Sequence, residues 1–174
     1  MRTHRIGYGL MTALTCSLFA STLTPLAQTA GAPNSKPKVD ARAETALKKT
    51  GFHYTVTPLG NFSVPLAMKE ERHQEVFISS YTDTFDDMET RRLWSTVWRS
   101  PEAPSTEMLS KLLMDNVPQK LGAFELAKTE TGYKIMYAAK IDAHAPPAVL
   151  RAAIRLVMYA ADNKEKELTG KDEY

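Results

Sequence analysis

From residue 52 onward, apolar and polar positions alternate one by one: Phe52, Tyr54 and Val56 stand between His53, Thr55 and Thr57. A period of two is that of a strand with one buried face. Pro58, Leu59, Gly60 and Asn61 then form a turn, and Phe62, Val64, Leu66 and Met68 resume the alternation. The pattern predicts an antiparallel hairpin closed at Gly60 and Asn61. The charged residues 69–72 supply a second turn, and residues 75–81 and 89–98 read as two further strands across an acidic turn at 83–87. Linked locally, these segments make a four-stranded antiparallel meander.

Helical spacing appears on either side of it. Residues 41–50 are good helix formers with Ala43, Ala46 and Leu47 on one side, and Gly51 supplies the stop. Pro101 and Pro104 end the meander. Ser105 caps a second predicted helix whose Met108, Leu109, Leu112 and Leu113 form a one-sided stripe, and Asn116 and Pro118 close it. Phe124 and Leu126 alternate with charged neighbours, Thr131 and Gly132 turn the chain, and Tyr133, Ile135, Tyr137, Ala139 and Ile141 mark one face of the returning strand. Pro146 and Pro147 open the longest helix, which reaches about residue 168 with Leu150, Ile154, Val157 and Ala161 at helical spacing. The expected fold is therefore α+β: helix, four-stranded antiparallel meander, helix, β-hairpin and C-terminal helix, with the helices packed on one sheet face.

The N-terminal residues add a location. Arg2 and Arg5 give a positive start, residues 6–26 are mostly apolar or small, and small residues follow at 29–32. This is the pattern of a secretory signal, with cleavage expected after Gly31. Residues 1–31 are thus assigned to a signal peptide, 32–40 to a flexible linker and 41–174 to a single α+β domain. The expected location is the periplasm of a Gram-negative bacterium, without stable membrane insertion after cleavage. Cys16, the one cysteine, lies inside the leader behind a poor lipobox, so the mature chain is expected to have no disulfide, no thiol nucleophile and no Cys-ligated metal. The chain carries 22 Lys and Arg against 20 Asp and Glu, and losing Arg2 and Arg5 balances them. Nucleic-acid binding then lacks its usual electrostatic footprint. A hydrophobic fraction of 43% and a charged fraction of 24% suit a globular chain.

Residues 51–62 and 74–78, the segment 89–98 with Arg91, Arg92 and Trp94, the helix end Leu112, Leu113, Met114, Asp115 and Asn116, and the final helix through Ala160, Ala161 and Asp162 together resemble the YbjN family. That family is named for bacterial sensory transduction regulation and is similar in fold to type III secretion chaperones. The likeness covers most of the chain after Asp40 and contains no catalytic signature. It implies action by contact: chaperones of this fold commonly pair into dimers and hold a partner chain. A homodimer and a partner that is another envelope protein are the corresponding expectations. The export leader is a departure, because it places the chain across the membrane from ordinary secretion-chaperone work.

Within this frame Trp94 and Trp98 are expected on one face of their strand with Arg92 beside them, a protein-binding surface of two large aromatics and a guanidinium. Asp83, Asp86, Asp87 and Glu89 are the densest acidic group, but their spacing is not that of a calcium loop and reads as a solvated turn. His53, His73 and His144 have no paired spacing, so no metal or other cofactor is expected. Asn61, Phe62 and Ser63 match a glycosylation sequon that the hairpin turn already explains. Ser35 and Lys38 have an acylase spacing but lie in the linker. Residues 163–174, with alternating charge, read as a solvated, fraying helix end. A non-enzymatic binding protein is the first expectation. The alternatives are an enzyme assembled from His53, His73, Asp86 and Arg92, or a small-ligand sensor.

Overall fold

The computed structural model describes residues 38–174; the leader assigned above and most of the linker lie outside the described residues. The domain takes shape at Val39, which packs against the core, and at Asp40, whose carboxylate accepts from the Arg42 amide at 2.8 Å and caps α1, Ala41–Lys48. The last residues of the stretch assigned to the linker are thus built into the domain.

The remaining α-helices and strands are β1 Thr55–Val56, β2 Phe62–Ala67, β3 His73–Phe85, β4 Met88–Ser100, α2 Thr106–Asp115, β5 Ala123–Thr129, β6 Gly132–Asp142 and α3 Pro147–Thr169, with a 3-10 turn at Lys69–Glu71 between β2 and β3. The fold is α+β. Among the described residues one six-stranded sheet has the order β1-β2-β3-β4-β6-β5 with every pairing antiparallel. The first strand is shorter than the pattern from Phe52 suggested. The acidic turn is also tighter, because β3 runs through Asp83 to Phe85 and only Asp86 and Asp87 turn the chain. Asp86 takes a φ of 49°, a left-handed conformation that aspartate tolerates.

The C-terminal hairpin does not stand apart from the meander. Its second strand β6 pairs along β4 and pushes β5 to the edge. The reason is visible in β6 itself. Ile135, Tyr137, Ala139 and Ile141 are buried on one side, and Met136 and Ala138 are buried on the other. A strand apolar on both faces belongs inside a sheet.

Leu150, Ala153, Ile154, Val157, Met158 and Ala161 of α3 recur at helical spacing and are buried in the core with one sheet face. Ala43 and Leu47 of α1 join them, as does Leu112 of α2. Each fully buried Leu, Ile or Val contributes about 1.5 to 3 kcal/mol relative to exposure. The second helix is less engaged: Leu113, Met114 and, just beyond it, Val117 are exposed. Asn116 holds its end, accepting from the Phe124 amide at 2.6 Å and donating to the Phe124 carbonyl at 3.3 Å. Among the described residues no helix is long and apolar enough to cross a membrane.

The C-terminal segment is ordered by contact, not frayed as its charge pattern suggested. Gly170 caps α3 in the left-handed conformation at φ 65°. Glu165, wholly buried, accepts from the amides of Glu173 at 2.5 Å and Tyr174 at 3.2 Å, so the chain folds back on its own helix.

Candidate protein-binding face

Strand pairing puts Phe77 of β3, Trp94 of β4 and Ala138 of β6 in one cross-strand row on the sheet face turned away from the core. No described helix covers this face. The rings of Phe77 and Trp94 stack with centroids 5.5 Å apart and planes 18° from parallel. Arg92 lies on the other side of Trp94, its guanidinium carbon 5.2 Å from the ring centroid, and reaches over β6 to Glu125 at 2.5 Å. The tryptophan is held between an aromatic ring and a cation while the row beneath, Met136 and Ala138, is closed to solvent. A side chain fixed in this way loses little rotamer freedom when something lands on it.

Trp98 is not part of this surface. A register shift between Thr96 and Trp98 places Trp98 opposite Ile135, whereas Trp94 is opposite Ala138. The bulge at Val97 changes the alternation by one residue, so Trp98 turns to the helix side and packs against the core. The expected tryptophan pair on one face is therefore corrected to Phe77 with Trp94. Phe77 carried the signal for this: it stands two strand positions from Glu75 and Ser79 in an otherwise polar row.

The groups considered for an assembled catalytic site are not brought together. His73 begins β3 and Asp86 follows its far end, on the order of 40 Å away at the rise of a strand. Arg92 is on the sheet face opposite the described helices and His53 is exposed near β1. None of the described clefts is lined by any of the four. The acidic group of the β3–β4 turn is likewise divided: Asp83 pairs with Lys140 at 3.2 Å, while Glu89 binds Arg42 at 2.8 Å and the His144 ring at 3.0 Å.

Two buried ionic networks escaped the sequence pattern. In the first, Arg91 is 2% exposed and donates to Asp40 at 2.7 Å and to the Ser79 carbonyl at 2.5 Å. Arg42 bridges Asp40 to Glu89. In the second, Arg72 donates to Asp162 at 2.6 Å, lies 3.5 Å from Glu165 and 3.9 Å from Asp172, and holds the Lys171 carbonyl at 2.8 Å. Oxygens of these three carboxylates lie within 4.8 Å of one another, an arrangement able to hold a metal ion. Arg72 supplies the positive charge there. Burial nonetheless pushes the Glu165 carboxyl above its ordinary range. Single arginines and carboxylates far apart in sequence carry no periodicity, so only the fold could join them.

The first network predicts a pH response. Arg42, followed by other donors, lowers Glu89 from 4.5 to about 2 and holds Asp40 far below the carboxylate range. Depressed carboxyl groups stabilise the fold above their unfolded values and lose that contribution as pH falls toward the folded ones. Arg42→Gln is expected to be less stable than the parent at neutral pH and to lose less stability between about pH 5 and pH 2. Urea unfolding midpoints at the two pH values check this; equal acid sensitivity in both proteins would refute it.

No protein-family model matches the chain, and no curated protein matches it.

Proposed function

We propose that the mature chain is an exported, non-enzymatic binding protein with the contact-based mode of action that the YbjN and secretion-chaperone resemblance implies, working in the cell envelope as a homodimer. The observation that carries this reading is the Phe77–Trp94 stack under the Arg92–Glu125 pair on a sheet face that no described helix covers. Tryptophan and arginine dominate binding hot spots because they bury large areas and donate directionally. The partner is another protein of the envelope, and the anchor it meets is Trp94 with Arg92 at its side. Trp98 belongs to the supporting core.

A photo-crosslinking residue introduced at position 77 and, as a control, at position 159 on α3 tests the face in living cells. Position 77 is expected to give discrete protein adducts that position 159 does not. Light scattering of the purified mature chain is expected to give twice the monomer mass. A strict monomer whose position 77 forms no adduct defeats the reading.

A further inference from the structure

At the end of the same sheet, Arg99 of β4 and Lys134 of β6 are direct cross-strand neighbours. Two like charges placed opposite each other destabilise a strand pair, so this pairing asks for a compensating charge. None is supplied by the described residues. Arg99 reaches the Thr96 hydroxyl at 3.5 Å and lies over the Tyr174 ring at 5.5 Å, both neutral contacts, and Lys134 has no carboxylate partner among the described residues. The contrast with neighbouring cations is informative: Arg92 holds Glu125 and Lys140 holds Asp83.

The two cations line a cleft of about 400 Å³ together with Ser100, Thr129, Thr131 and Tyr133. Its polar side chains are thus two positive groups and four hydroxyls, with no carboxylate in the lining. Burial, then the charges of Arg99 and Arg92, lowers the Lys134 ammonium from its ordinary value, which is the electrostatic condition an anion relieves. Hydroxyls and ammonium groups donate from several directions and suit a tetrahedral oxyanion, while a guanidinium can grip two of its oxygens.

We infer that the cleft between Arg99 and Lys134 binds a phosphate group, either free or on a phospholipid headgroup. This site is separate from the Trp94 anchor and does not depend on the function proposed for that anchor. Lys134 supplies the charge from the sheet face, Arg99 the forked donor, and the Thr131 hydroxyl a further bond.

The test uses the purified chain at constant ionic strength. Inorganic phosphate is titrated while amide resonances are followed, and sedimentation with phosphatidylglycerol or phosphatidylcholine vesicles provides the second arm. Saturable shifts centred on residues 99, 131 and 134, weakened at least about tenfold in both Arg99→Gln and Lys134→Gln but retained in Lys134→Arg, are expected. Sedimentation with the anionic vesicles alone, dependent on the same two side chains, supports the headgroup as the source. Arg99 is exposed, so Arg99→Gln keeps the test valid should Lys134→Gln fail to fold. Chloride reproducing the phosphate shifts, or variants that bind as well as the parent, would overturn the inference, as would absence of binding in both arms.

Discussion

Trp94→Ala is expected to weaken partner capture by about 30-fold or more, the roughly 2 kcal/mol by which an interface hot spot is defined, with little change in thermal stability. The ring stands between Phe77 and Arg92 on the face opposite the described helices, so its loss removes contact area for the proposed partner and leaves the core intact. Trp98→Ala should do the reverse. Its ring packs against the core next to Ile135, and truncation should lower stability by about 3 kcal/mol while capture per folded molecule is preserved. Crosslinking yield normalised to the folded fraction, measured beside urea unfolding, separates the two effects. Should Trp98→Ala lose capture at full folding while Trp94→Ala keeps it, the assignment of the binding face is wrong.

Arg91→Ala should cost about 3 to 5 kcal/mol, the range for removing one partner of a buried ion pair. The guanidinium fills space that solvent does not reach, and its removal leaves the Ser79 carbonyl without its donor and Asp40 dependent on Arg42. Its sequence neighbour offers the control. Arg92→Ala breaks a pair with Glu125 at the surface, where such contacts are worth about 1 kcal/mol or less, so its unfolding midpoint should barely move. Similar losses for the two variants would contradict the placement of adjacent arginines on opposite sheet faces.

That contrast shows how far the sequence could be read. The alternation through Phe62, Val64, Val76 and Ile78 identified strands with one buried face, and the spacing of Leu150, Ile154, Val157 and Ala161 identified the helix that covers them. The same alternation, extended without interruption from Trp94, placed Trp98 on the wrong face, because a bulge leaves no mark in apolar spacing when Val97 and Trp98 are both apolar. Glu165 looked solvated because charge alternation on a helix normally faces water. Arg72, far from it in sequence but 3.5 Å from its carboxylate, supplies the opposite charge beside it.

Local patterning by itself determined the class of the fold and the strand that carries Trp94, since these follow from periodicities of two and 3.6 residues. Tertiary structure decided which strand became central, which tryptophan faced outward, which arginine was buried, and that Arg99 would meet Lys134 with no carboxylate paired to either among the described residues. Those outcomes depend on register and on long-range pairing between β4 and β6. A one-residue shift in register reverses every side chain beyond it, and single charges carry no period from which their distant partners can be read.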